Sequence, residues 1–211
     1  MVIYLHGFAS SSRSGKATYL GERLGAHGED VVTPDLNLPD FSTLTVTRML
    51  DQTRALIDRT DEPVTLFGSS LGGYVAVNAA AQWPDRIGRL VLLAPALDFS
   101  DEGLGGPGGA SLEDWKRDGQ IAVFHYGYGR MMPIHYGLYE DARRYDAMRA
   151  DVRMPILAFQ GRRDTAVSPA AVERWAAARP NVELHMLDDD HQLASSLEFI
   201  WTETERFLGL A

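Results

Sequence analysis

Six short apolar runs recur along the chain, and a longer stretch follows each before the next begins. They are Val2-Ile3-Tyr4-Leu5, Val31-Val32, Val64 to Phe67, Leu90 to Leu93, Ile156 to Phe159 and Val182 to Leu187. Most read as continuous aliphatic or β-branched segments rather than in-and-out alternation, the pattern of strands covered on both faces of a parallel sheet. Between them lie windows with helical spacing: Gly15 to Ala26, Thr43 to Arg59, Leu71 to Gln82, Pro169 to Ala178 and Leu193 to Phe207. Ser168-Pro169 supplies a cap followed by proline at the first helical position, and Gln82-Trp83-Pro84 stops a helix just before proline. Strand followed by helix, repeated, means right-handed crossovers and an α/β architecture, a doubly wound, mainly parallel six-stranded sheet. The last strand, with Glu183 and His185, reads as an edge.

One stretch breaks this rhythm. From Asp98 to Ala150 a short connection is replaced by some fifty residues, beginning with the glycine-rich run Gly103-Leu104-Gly105-Gly106-Pro107-Gly108-Gly109. Of eight tyrosines, eight phenylalanines and four tryptophans, seven fall between Trp115 and Tyr145. Loops that long in compact domains are commonly functional. The expectation is a single domain over 1–211, with 98–150 a lid-like insertion that walls an apolar pocket rather than only a satellite core.

Charge and composition remove several classes of function. With 20 basic and 29 acidic side chains, the formal charge of −9 repels nucleic acid and anionic lipid. No apolar run approaches the roughly 18 residues of a membrane span. Met1 leads directly into the first strand without a basic segment or cleavage site, so no export signal is expected and the cytoplasm is the default. The absence of cysteine excludes thiolate nucleophiles, disulfides and thiolate zinc sites together.

The chemistry centres on Gly68-Ser69-Ser70-Leu71-Gly72-Gly73, directly after the third strand and directly before a helix. A strand-to-helix turn this sharp holds its central serine in a strained conformation, and the flanking positions must lack side chains. Ser70 is thereby the candidate nucleophile, at a helix N-terminus where developing negative charge is favoured. A neutral serine needs a base and a group to orient it. Asp164 follows the fifth strand through Gly161-Arg162-Arg163, and His191 follows the last, so all three candidates fall at strand ends on one rim. Asp98 is the competing acid. Asp188, Asp189 and Asp190 read as a solvated acidic loop, because adjacent carboxylates are not comfortably buried together. An oxyanion hole is expected from the amide of Leu71 and that of Phe8, in the loop His6-Gly7-Phe8-Ala9-Ser10 after the first strand. Candidate substrate contacts are Phe8 and Ser69 near the nucleophile, and Tyr126, Met131 and His135 in the insertion. His185 reads as packing, His6 as support for the oxyanion loop.

Other motifs fail on context. Gly103 to Gly108 satisfies G-x-G-x-x-G without a strand before it or a helix behind it. Gly15-Lys16 echoes the end of a phosphate-binding loop, but Ser10 stands where its first glycine belongs and Ala17 where its hydroxyl belongs. No second histidine joins His191 at ligand spacing, so no metal is expected.

On these segments the chain resembles the α/β-hydrolase superfamily, and within it small bacterial esterases of the YqiA kind. Tyr4 to Ser11 looks like that group's opening, Gly68 to Gly73 its elbow, and Gly161 to Asp164 and Asp190-His191 its acid and base loops. The resemblance implies a six-stranded parallel sheet and hydrolysis of carboxylic esters, of short to medium acyl chain, through an acyl-enzyme and without a cofactor. The partner would be a small ester, the protein a monomer or small homo-oligomer. The same residues leave open a thioesterase, lactonase or peptidase, and a non-catalytic binding protein on a retired scaffold.

Overall fold

The computed structural model describes residues 1–100 and 109–210; the glycine run from Gly103 to Gly108 lies outside them. The main sheet comprises β1 (Val2–Leu5), β2 (Val31–Val32), β3 (Val64–Ser69), β4 (Ile87–Leu93), β7 (Ile156–Gly161) and β8 (Val182–Leu187). Its order is β2-β1-β3-β4-β7-β8 with every pair parallel. The order reverses direction between β1 and β3, and at such a switch point the loops at the strands' carboxyl ends diverge and leave a crevice.

The strands alternate after all, but between two apolar environments. Ile3, Leu5, Leu66, Leu90, Leu92, Ile156 and Ala158 face one core, which α2 (Val46–Ile57), α3 (Leu71–Gln82) and α6 (Pro169–Ala177) cover. Val2, Tyr4, Phe67, Val91, Leu93, Leu157 and Phe159 face the other, under α1 (Gly15–Ala26) and α7 (Leu197–Leu208). Both sets are buried, which is why the sequence shows continuous runs. Helix α3 runs through the middle, with Leu71 to Ala80 all buried.

The expected elements are all present, with boundaries adjusted by local chemistry. The window from Thr43 resolves into a 3₁₀ turn at Phe41–Thr43 and a helix whose cap, Thr45, accepts a hydrogen bond from Arg48 N–H. The last window resolves into a 3₁₀ turn at Ala194–Ser196 before α7.

The insertion contains secondary structure that the sequence reading leaves undivided: α4 (Leu112–Asp118), an antiparallel hairpin of β5 (Gln120–His125) and β6 (Arg130–His135), and α5 (Gly137–Ala142). Two features hide the hairpin. Pro133 stands inside β6, tolerated because each strand of a two-stranded sheet has a free edge. Both of its faces also carry apolar side chains, so alternation is masked. Trp115, Val123, Ile134, Leu138, Tyr139 and Ala142 join the core on the α2–α3 side. Trp115 Nε1 donates to Ile134 O at 3.0 Å, and Thr47 Oγ1 donates to Asp141 Oδ1 at 2.6 Å. The insertion is thus a built part of one face, not a strap laid over it.

Candidate active site

The elbow requires its glycines. Ser70 has φ 53° and ψ −118°, a conformation unusual for a residue with a side chain. A Cβ at Gly68 would lie 2.6 Å from Gly72 O and Gly73 Cα, and one at Gly72 would lie 2.0 Å from Leu5 O. Only hydrogen at these positions lets strand, turn and helix approach so closely. Ser70 N–H donates to Leu93 O at 3.0 Å, and Ser70 O accepts from Gly73 and Ala96 N–H, so the strained peptide is fixed on both sides.

Facing this turn are the loops after β7 and β8, brought together by a third absent side chain. A Cβ at Gly161 would lie 2.5 Å from Asp190 O and 2.6 Å from Asp189 O. His191 Nδ1 lies 2.8 Å from Asp164 Oδ2, and its Nε2 lies 3.1 Å from Ser70 Oγ. Because an ionised carboxylate only accepts, the proton sits on Nδ1; Nε2 is then the acceptor and Ser70 Oγ the donor. Of the two candidate acids, Asp164 is the one bonded to this imidazole.

Asp164 is held by four hydrogen bonds. Its Oδ1 accepts from Ala166 and Val167 N–H at 2.8 and 2.9 Å, and its Oδ2 accepts from Gln160 Nε2 at 2.9 Å as well as from His191. The side chain is fully buried. Burial pushes its pKa up, but the bonds from His191, Val167 N–H and Gln160 outweigh that, and the carboxyl stays below its ordinary value. A charged, fully bonded carboxylate is suited to fixing an imidazole tautomer and stabilising its cation.

The loop after β1 is clamped from the opposite side. His6 Nδ1 donates to Gly7 O at 2.9 Å and its Nε2 accepts from Leu36 N–H at 3.0 Å, a neutral arrangement consistent with the pKa-lowering effect of its burial. Asn37 Nδ2 donates to Ser10 O at 2.8 Å. A Cβ at Gly7 would lie 3.2 Å from Ser70 Cβ, so this loop passes directly over Ser70. Phe8 follows in it, packed on Phe41 with ring centroids 5.4 Å apart. Leu71 opens α3, whose first amides have no intrahelical acceptor.

The other substrate candidates spread widely. Ser69 is buried within β3, 5 % exposed, while Tyr126 and Met131 stand out on the hairpin at 77 % and 58 %. His135 is exposed at the far end of β6, opposite Gln120. The hairpin does reach the site's border: Gly127 N–H donates to Ala9 O at 3.3 Å, and a Cβ at Gly127 would lie 2.8 Å from Ser11 Cβ. His125, at the base of that turn, is buried between Phe41 and Tyr128, its Nδ1 accepting from Tyr128 N–H at 3.1 Å.

Sequence reasoning passes over Gln160, because a buried amide in a strand carries no motif; its position four residues before Asp164 is the available signal. It reads Glu183 and His185 as edge strand and packing without joining them to Glu203, though ligand atoms of the three lie within 4.8 Å of one another on β8 and α7. Arg206 pairs with both carboxylates there, neutralising the charge a cation would use.

Comparison with known proteins bears on the family and the fold. The family described as uncharacterised protein family UPF0227 matches residues 1–205. A 100-residue stretch is 31% identical to the biotin biosynthesis bifunctional protein BioHC of Teredinibacter turnerae, covering 44% of this chain and 17% of that protein. A 103-residue stretch is 33% identical to the lipase LipV of Mycobacterium tuberculosis, covering 46% and 37% respectively. The matched stretches therefore span well under half the length of these relatives. Among solved structures, Est1E from Butyrivibrio proteoclasticus, with ferulic acid bound, superposes with a TM-score of 0.87 at 21% identity over 98% of this chain and 87% of that one. Alpha/beta hydrolase domain-containing protein 10 from mouse gives 0.78 at 20% identity over 100% and 90%. The fold expected from the sequence is the fold these structures have. Among the described residues no helix is long and apolar enough to cross a membrane.

Proposed function

Because the chain belongs to the UPF0227 family and has the α/β-hydrolase fold, we propose that it is a serine hydrolase that cleaves carboxylic esters of short to medium acyl chain. The observation that carries this reading is the unbroken hydrogen-bonded series from Ser70 Oγ through His191 to Asp164, at 3.1 and 2.8 Å, with the serine on a strained elbow.

In this reading Ser70 Oγ attacks the ester carbonyl carbon while His191 Nε2 takes its proton. The carbonyl electron pair moves onto oxygen, where the amides of Phe8 and Leu71 hold the negative charge. Collapse of that intermediate expels the alcohol, which leaves with the proton from His191, and the acyl group stays on Ser70. Water then repeats the sequence, giving up a proton to His191 and releasing the acid. Asp164 remains ionised throughout. The insertion acts as the lid, its hairpin tip braced on the Ala9 to Ser11 loop and its apolar side chains forming a wall for the acyl group. The names of LipV, a lipase, and of a structural neighbour described as a monoacylglycerol lipase support this class of reaction.

The test is covalent labelling of Ser70 by a fluorophosphonate, followed by turnover of aryl esters from acetyl to palmitoyl. Stoichiometric labelling, lost in Ser70→Ala, and a rate that falls beyond a given acyl length are expected. An intact protein that is not labelled overturns the reading; labelling without ester turnover moves it to thioesters or amides.

A further inference from the structure

Lys16 stands where neither local helix stability nor solvation favours it. It is the second residue of α1, whose cap Ser14 accepts from Ala17 N–H, and a cation in a helix's first turn opposes the helix dipole. The side chain is partly buried, and burial lowers its pKa to about 8 against the opposing pull of Asp164, Asp190 and Asp189, the carboxylates that face it. Its neighbour on this rim, Arg163, is engaged elsewhere, with Asp188. The phosphate-loop likeness of Gly15-Lys16 offers it no role, and the helix would be better served by an acidic residue.

Lys16 does make one long-range bond: its Nζ donates to the backbone oxygen of His191 at 3.2 Å, joining the start of the chain to the base loop. The other restraints on that loop are local or come from Arg163 and Ser196, among them Gln192 N–H, in the same peptide unit as the His191 carbonyl, which donates to Asp190 Oδ1 at 2.8 Å. Asp189 Oδ1 accepts from Asp190 N–H, its Oδ2 accepts from Ser196 Oγ, and Asp189 O accepts from Arg163 N–H. Lys16 acts on the peptide of His191 itself. That peptide sets where the imidazole sits, and a displacement of about 1 Å in such a group can cost about a hundredfold in rate.

We propose that Lys16 is a positioning residue, whose ammonium bonds the His191 carbonyl from α1 and so holds the imidazole in register between Ser70 and Asp164. The inference rests on the serine-hydrolase reading above and adds to it a residue outside the three-residue series. A charge-assisted hydrogen bond is roughly twice as strong as a neutral one. The hold therefore weakens as Lys16 loses its proton, giving an alkaline decline centred near its pKa of about 8.

The experiment measures the second-order rate of fluorophosphonate labelling at Ser70 from pH 6 to 10, with the melting temperature of each protein. Lys16→Met is expected to label about tenfold more slowly than wild type at pH 7. Its melting temperature should be unchanged or higher, because the folded state disfavours the charged lysine below about pH 8 and that penalty fades as pH rises toward the unfolded value. Lys16→Arg, whose charge persists, should stay within about threefold of wild type and lose the alkaline decline. If Lys16→Met does not fold, Lys16→Gln, with a neutral donor, should show the slowed, pH-flat rate. Labelling of the neutral variant within twofold of wild type overturns the proposal, as does a slowed rate accompanied by a lower melting temperature that Arg does not rescue. Wild-type protein that takes no label overturns the underlying reading together with the proposal, whereas labelled wild type with an unaffected neutral variant removes Lys16 alone.

Discussion

Strands β3 and β4 and the hairpin β5–β6 are built from similarly apolar residues and use them in opposite ways. In β4 Leu90, Val91, Leu92 and Leu93 are completely buried, each side chain pointing into one of two cores. In the hairpin one face, with Ile121, Val123, Met132 and Ile134, packs inward. The other leaves Phe124 and Met131, a cross-strand pair, and Tyr126 exposed. Phe124 and Tyr126 meet edge to face at 5.2 Å. Burial of a large apolar side chain stabilises by about 1.5–3 kcal/mol, and these three forgo most of it. The sheet uses its apolar surface to hold Ser70, Asp164 and His191 together at its rim; the hairpin leaves some of its own exposed beside the loop that passes over Ser70.

The sharpest way to separate the two regions is Ser70→Ala. It should lower kcat/KM for an ester by about 10⁴–10⁶ with no change in melting temperature, and His191→Ala should cost a similar factor without adding to it in the double variant. Additive losses in that double variant would show that the two side chains do not act as a unit. Gly72→Ala should break the rim by folding rather than chemistry. Its Cβ would sit 2.0 Å from Leu5 O, backbone that cannot move without disturbing β1, so a loss of about 3 kcal/mol or more is expected in urea denaturation. The hairpin should respond in reverse. Phe124→Ser with Tyr126→Ser should leave stability within about 0.5 kcal/mol and kcat unchanged. It should raise KM for longer acyl esters by about threefold to tenfold, the loss of about 1 kcal/mol of apolar contact; a shift in stability instead would mean that these rings are structural.

The smallest effect tests the charge at the rim. The Asp164 pKa is lower in the folded protein than its ordinary value, so the stability it contributes is present above that value, near pH 4, and lost as pH falls through the folded one. Asp164→Asn should therefore be less stable than wild type at neutral pH, with the gap narrowing on acidification. A gap that widens toward low pH contradicts the bonding described for this carboxylate.

How much the amino acids disclose follows the same division. Elements whose every residue has one environment are legible: Val64 to Phe67 and Leu90 to Leu93 read as doubly covered strands because both sides of each are indeed apolar. The elbow is legible because steric exclusion at Gly68 and Gly72 leaves a fixed spacing. The acid and base loops follow from strand ends and chain order. The hairpin escapes because its exposed face looks like a buried one and Pro133 looks like an interruption. Gln160 and Lys16 escape for a different reason: each matters through one bond to a distant partner, Asp164 Oδ2 for one and the His191 carbonyl for the other. No periodicity reports such a pair.

Tyr74, on the helix that begins just after Ser70, sends its hydroxyl to the carbonyls of Ala142 and Tyr145, and its burial pushes the phenol pKa up to about 12. It works as a rivet, uncharged at any ordinary pH, through the root of the insertion. With α5 pinned there, the lid proposed above would open by flexing at the ribbon's tip, which meets the rim through the Gly127 N–H to Ala9 O hydrogen bond, rather than by swinging outward as a door.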